Sequence, residues 1–116
     1  MPKKRIQRPW GFYAIINKGK NFKVKLVEVL PGRRLSLQSH QYRSEHWVVV
    51  SGTAKIINGG DMLILRENQS TYIPKRTLHR LENPEKKHRL KIVEVQCGEY
   101  TGEDDIERIE DDHGRR

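Results

Sequence analysis

Four side chains in this chain could share one cation: Gln38, His40, Glu45 and His79. The first three lie in the segment PGRRLSLQSHQYRSEHWVVVSG, and the fourth follows in YIPKRTLHRLEN. Gln38 and His40 are two apart, so an extended chain turns both to one face. Glu45 follows a short turn and leads into the apolar run HWVVV. His79 comes after the turn at Pro74 and returns to the same place only if the strands curl into a barrel. Two imidazoles, one carboxylate and one amide oxygen suit a divalent transition metal. A lone histidine in a β protein is more often a surface or hydrogen-bonded residue, so the ligand reading rests on the four together.

The spacing is specific. Gly32, five residues, Gln38-x-His40, four residues, Glu45, six residues and Gly52 resembles the first cupin motif, with Gln38 where that motif has its first His. Pro74, four residues, His79, three residues and Asn83 resembles the second, with Arg76 where Gly is usual. The strings RPWGFY, LSLQSHQYRSEHWVVVSGTA, STYIP, HRLENP, IVEVQCGEY and GEDDIERIEDDHGR together resemble the cupin domain of type II mannose-6-phosphate isomerases. In that family the domain usually forms the C-terminal part of a larger enzyme with mannose-1-phosphate guanylyltransferase activity. The resemblance runs from about Arg8 to Arg115. It implies an all-β cupin, a double-stranded β-helix or jelly-roll barrel. It also implies a metal-dependent isomerase that interconverts mannose 6-phosphate and fructose 6-phosphate through a cis-enediol. A cupin-type phosphoglucose isomerase and a sugar-phosphate-binding module without turnover are the alternatives. A cupin of another class, such as an iron-dependent oxygenase or an epimerase, fits less well, because Gln38 replaces an imidazole donor. No Gly-rich phosphate loop is found, and no guanylyltransferase or GTP-dependent activity is expected of this chain.

One divalent ion per chain is expected, zinc first, with manganese, cobalt, nickel and iron(II) open. One carboxylate and a neutral amide leave net positive charge at the ion, which suits a Lewis acid acting on a sugar oxygen. Moving a proton between C2 and C1 needs an acid/base group, and Glu94 is the expected one. It sits in IVEVQ, where a carboxylate is costly unless it faces a polar cavity. Its alternative role is to orient a ligand or pair with Lys25. Arg43 and Lys25 complete the expected catalytic set. Arg43 and Arg80 match positions in the family's RSEHW and HRL motifs and are expected to hold the phosphate, which arginine binds bidentately. Salt bridges to the acidic tail are their plainer use. Glu28 is a second possible carboxylate and Tyr100 a possible proton donor. Trp10 and Trp47 are expected in the core or at the pocket wall. Cys97 is expected to be small and buried, His46 to face outward, and His88 and His113 to be exposed.

The elements that must position these groups read as short strands. FYAII, FKVKLVEVL, RLSLQ, HWVVV, GTAKII, MLILR, STYI and LKIVEV are separated by NKGKN, PGR, NGGD, RENQ and NPEKK. Such spacing indicates an antiparallel sandwich or barrel. In FKVKLVEV, Phe22, Val24, Leu26 and Glu28 share one face and Lys23, Lys25, Val27 and Val29 the other, and Glu28 leaves the inward face open. DDIERIEDD is either a short helix or an edge strand. Residues 1–7 are expected to be a flexible basic tail and 8–116 a single domain.

With 116 residues the chain makes one domain. Only 34% of it is hydrophobic and 33% is charged, so the core must be small. No apolar run approaches the roughly 20 residues that span a bilayer, and the N-terminus lacks a signal-peptide core. Cys97 is the single cysteine, so no internal disulfide forms. A cytoplasmic protein without membrane partner is expected. The formal charge of +8 is polarised, with ten Lys/Arg against Glu28 alone in the first 34 residues and an acidic tail from Glu99. That basic stretch is either a solvated face or an attraction for a phosphorylated hexose. Nucleic acid is not expected, since no matching motif is present. A homodimer is expected, because small barrels leave sheet edges to cover.

Overall fold

The computed structural model describes residues 4–114. Among them the chain forms strands only: β1 (Ile6–Arg8), β2 (Gly11–Gly19), β3 (Phe22–Val29), β4 (Leu37–Ser39), β5 (Arg43–Ser51), β6 (Ala54–Asn58), β7 (Asp61–Leu65), β8 (Ser70–Ile73), β9 (His79–Glu82), β10 (Leu90–Gly98) and β11 (Glu107–Glu110). They make two antiparallel sheets, one ordered β1-β2-β3-β10-β5-β8 and the other β11-β4-β9-β6-β7. This is the all-β, two-sheet barrel that the turn spacing implies. Among the described residues no helix is long and apolar enough to cross a membrane.

Three neighbouring strands carry the same gradient. In β3 the inward face is Lys23, Lys25, Val27 and Val29, the alternative that Glu28 left open. In β10 the buried positions run Leu90, Ile92, Glu94, Gln96, and in β5 they run Arg43, Glu45, Trp47, Val49. Antiparallel pairing sets Ile92 beside Val27 and Val49, Glu94 beside Lys25 and Trp47, and Gln96 beside Lys23 and Glu45. The barrel is therefore apolar at one end and charged at the other. The apolar end is a cluster that includes Val29, Val49, Ile56, Ile73, Leu81, Leu90 and Ile92. Burying such side chains is the main drive for closure, at about 25 cal/mol per Å² of apolar surface. The charged end carries the groups able to do chemistry.

Turns hold the closure. Gly52 has φ 93°, and a Cβ there would come 2.7 Å from the Arg89 carbonyl, so only glycine fits between β5 and β6. Asn83 is fully buried; its amide donates to the Val29 and His88 carbonyls, and its Oδ1 accepts the Glu85 N–H. Arg76, in the place where the resembling motif has Gly, adopts φ 58° and donates its N–H to the His40 carbonyl.

Several expectations are corrected. Ile6 and Gln7 are not a loose tail but pair with Tyr13 and Phe12 in β1; residues 1–3 of that expected tail, and 115–116, lie outside the described residues. The acidic DDIERIEDD, expected as either a short helix or an edge strand, is the edge strand, β11 (Glu107–Glu110), paired with β4. Cys97 is exposed, because it falls on the outward face of β10. His113 is half-buried, whereas His46 and His88 are exposed as expected.

Candidate metal centre and cavity

The charged end of the barrel encloses a cavity of about 210 Å³. Gln38, His40, Glu45 and His79 all line it. β4 lies against β9 with Gln38 opposite His79, while β5 carries Glu45 on the facing sheet. Nearest donor atoms of His40, Glu45 and His79 lie within 4.8 Å of one another, and all three residues are buried. Gln38 directs its amide nitrogen to the Ser36 hydroxyl at 3.0 Å, which leaves the amide oxygen for another partner.

Both imidazoles have a fixed tautomer. His40 Nδ1 is 2.6 Å from the Asp105 carbonyl and His79 Nδ1 is 2.9 Å from the Thr77 carbonyl. A carbonyl only accepts, so each Nδ1 carries the proton and each Nε2 offers a lone pair. Burial keeps the rings neutral: it lowers His40 to about 4, against a raising pull from Glu45, and lowers His79 as well. Burial alone would push Glu45 up, but the positive charge around it, with the Arg43 guanidinium bonded to it, holds it well below the usual carboxylate range. His40 Nε2 and Glu45 Oε2 are thus two acceptors facing each other at 3.1 Å. Such a pair needs a cation between them. In this structure the Arg43 guanidinium serves, with Nε 2.9 Å from Glu45 Oε2 and Nη2 3.3 Å from His40 Nε2. The second oxygen, Oε1, accepts from Trp47 Nε1 at 2.8 Å, which fixes the carboxylate plane. Two neutral imidazoles and an ionised carboxylate around one point fit a divalent metal, and Gln38 lines the same cavity.

Glu94 lines the same cavity and accepts from Gln96 Nε2 at 2.7 Å. Burial and then the neighbouring Glu45 raise it to about 8, while Lys25 pulls it down. Lys25 also lines the cavity, with Nζ 4.0 Å from the Tyr13 ring centroid. Arg43 joins the ligands as just described.

Other expected residues are elsewhere. Arg80 does not reach the cavity: it follows His79 by one position on β9, so its side chain leaves by the opposite face. There it donates to the Leu35 carbonyl and to Glu110, the tail salt bridge that was its plainer use. Glu28 faces outward and pairs with Arg89. Tyr100 is exposed and bonded to Asp104. Trp10 and Trp47 are both core and wall.

The sequence reading missed Arg8, Arg108 and Glu103, which line the cavity too. Arg8 comes from β1 and Arg108 from β11, at opposite ends of the chain. Only the parity of Arg108 opposite Gln38 could have signalled one of them.

The family model described as mannose-6-phosphate isomerase C-terminal matches residues 2–111. The chain is 54% identical over 112 residues to xanthan biosynthesis protein XanB of Xanthomonas campestris, covering 97% of this chain and 24% of that protein. It is 56% identical over 110 residues to alginate biosynthesis protein AlgA of Pseudomonas aeruginosa, covering 95% and 23%. To mannose-1-phosphate guanylyltransferase RfbM of Salmonella typhimurium it is 47% identical over 109 residues, covering 94% and 22%. The chain thus spans about a quarter of the length of these curated relatives. Among solved structures, a double-stranded β-helix protein of Klebsiella pneumoniae aligns with TM-score 0.76 at 17% identity, over 91% of this chain and 84% of that one. An RmlC-like cupin of Shewanella frigidimarina aligns with TM-score 0.76 at 14% identity, over 88% and 87%. At such identities the structural likeness carries the fold alone, which is that of a cupin.

Proposed function

Because the chain belongs to the mannose-6-phosphate isomerase C-terminal family, we propose that it is a metal-dependent aldose–ketose isomerase acting on mannose 6-phosphate and fructose 6-phosphate. The observation that carries this reading is the meeting, in one cavity, of a cation-binding trio and a separate buried carboxylate, Glu94. Proton transfer between C2 and C1 needs a carboxylate that can change charge, and a cation site near enough to act on the same small sugar.

His40, Glu45, His79 and the amide oxygen of Gln38 would hold the ion, zinc in our reading. When bound, it supplies Lewis-acid stabilisation of the negative charge that develops on the sugar oxygens. Glu94 takes the proton from C2 and returns it to C1, passing through a cis-enediol. Gln96 donates to Glu94 and orients it. Arg43, bonded to Glu45 in the cavity wall, would offer its other N–H donors to the substrate. Trp10 and Trp47 close the apolar side and exclude water.

The test is a coupled assay of mannose 6-phosphate isomerisation after chelation, then after adding back zinc, manganese, cobalt or nickel, with glucose 6-phosphate run beside it. Activity that vanishes and returns is the expected result. No turnover with any metal, despite one ion bound per chain, would reduce the chain to a sugar-phosphate-binding module.

We further propose that a second copy covers the outer face of the six-stranded sheet. Val24, Leu26, Val48, Val93 and Val95 stand side by side there, half-buried, on a face that a one-sided antiparallel sheet normally makes polar. The four long strands β2, β3, β5 and β10, with the short β1 and β8 at the edges, offer roughly 650 Å² at about 4.8 Å spacing and about 3.3 Å per residue. A standard interface uses about 800 Å² per partner. Light scattering should give twice the chain mass, and Val93→Lys should halve it. A monomer at every concentration would end this reading.

A further inference from the structure

We propose that Glu103 is a built-in competitor for the anionic group of the ligand, and that a phosphomonoester enters by displacing it from Lys23 and Lys25. The idea rests on the sugar-phosphate reading of the cavity above, and it supplies the phosphate contact that Arg80 does not make.

Two lysines point into the barrel from β3, each 6% exposed. Ammonium groups are seldom buried unless an anion compensates them. Here one carboxylate serves both: Glu103 Oε2 lies 3.0 Å from Lys23 Nζ, and Oε1 lies 2.7 Å from Lys25 Nζ. Glu103 itself is 45% exposed at the side chain and forms part of the cavity wall. A single carboxylate leaves the pair of ammonium groups with net positive charge. A phosphomonoester brings close to two negative charges and three acceptor oxygens, so it answers the pair better than the resident group. Arg8 on the same cavity wall adds further positive charge for it.

The segment that carries Glu103 can move without dismantling the barrel. Residues 101–105 form a strap between β10 and β11, outside both sheets. At one end Asp105 anchors it firmly, its carboxylate accepting the N–H groups of Gln41 and Tyr42 at 2.8 and 2.9 Å. Toward Glu103 it is held by side chains: Lys23, next but one to the cavity residue Lys25 on β3, donates to the Thr101 carbonyl, and Arg43 of the cavity wall donates to that of Gly102. The present cavity, about 210 Å³, is also below the roughly 300 Å³ at which small-molecule sites begin. Withdrawal of Glu103 would enlarge it at the point where the cations lie.

The experiment is titration of inorganic phosphate into the full chain, with and without chelator, followed by tryptophan fluorescence, since Trp10 and Trp47 line the cavity. Glu103→Gln should tighten phosphate about ten-fold, because the competent state no longer has to be bought from a closed one. Lys25→Met should abolish binding in both backgrounds. Should Glu103→Gln fold poorly, Glu103→Asp gives a smaller gain in the same direction, and hydrogen exchange on the unmodified chain needs no variant: phosphate should speed exchange of the amides at 102–104. Phosphate affinity unchanged or weakened in Glu103→Gln, binding that survives Lys25→Met, slower exchange of the strap, or no phosphate binding at all would overturn the proposal. Turnover is no part of the readout. A chain that binds phosphate in this way and isomerises nothing would overturn the proposed activity and leave the anion site standing.

Discussion

At the residue scale the centre is a pair of acceptors gathered around one positive partner. His40 Nε2 and Glu45 Oε2 face each other with Arg43 bridging them. Replacing His40, Glu45, His79 or Gln38 by Ala should each lower the metal content measured by elemental analysis, with Gln38→Ala losing least because its donor is a neutral amide. Equal metal content in all four variants would refute the ligand set. Glu94→Gln keeps the shape of the side chain and removes its base. It should retain the metal and lower kcat by about 10²–10⁴-fold, the usual worth of a positioned acid/base. A parallel loss of solvent-proton exchange at C2 would tie the defect to proton transfer; normal exchange would exonerate Glu94.

At the element scale, the barrel end is tied by two polar latches, and each gives a prediction. Asn83 satisfies Val29, His88 and Glu85 from a fully buried position. Asn83→Ala leaves the Val29 carbonyl buried and unpaired and removes two partly buried bonds, and should cost about 2–4 kcal/mol in a denaturant titration, at about 1–3 kcal/mol for the buried group and less for the others. The strap is the second latch. Burial alone would raise Glu103, but Lys25 and Lys23 outweigh it and hold its carboxyl below the ordinary value of 4.5. A depressed carboxylate stabilises the fold above its unfolded pKa and loses that contribution as pH falls through its lower folded value. Acid unfolding below about pH 4.5 should therefore be less steep in Glu103→Gln than in the parent chain, as followed by circular dichroism. Identical acid profiles would mean that the Lys23–Glu103–Lys25 contact is not formed in solution.

At the scale of the whole molecule, the ligands come from β4, the β4–β5 turn, β5 and β9, which belong to both sheets. An ion held by all of them binds only the closed barrel. At a free concentration one hundred times its Kd it would add about 2.7 kcal/mol. For a domain of this size that is roughly 10 °C in Tm. Chelation should lower Tm by that order, and the loss should be absent from His40→Ala, which has no metal to lose.

Spacing and residue type pointed to Gln38, His40, Glu45 and His79, which line one cavity, because residue type and strand parity are local properties of the chain. The turns, the two-sheet class and the inward Glu94 were legible for the same reason: alternation and breakers are written in short windows. Three things were not. Arg80 was assigned to the phosphate, yet parity beside His79 turns it to Glu110. Lys23 and Lys25 could not be set inward until β10 and β5 lay beside β3, since only pairing reveals that all three strands change from apolar to charged at the same level. Arg8, Glu103 and Arg108 join the cavity from the two ends of the chain. Contacts between residues some hundred positions apart are set by closure of the barrel, a balance of apolar burial and strand pairing summed over the whole molecule. Local sequence fixes which groups can do chemistry; that global closure decides which of them meet.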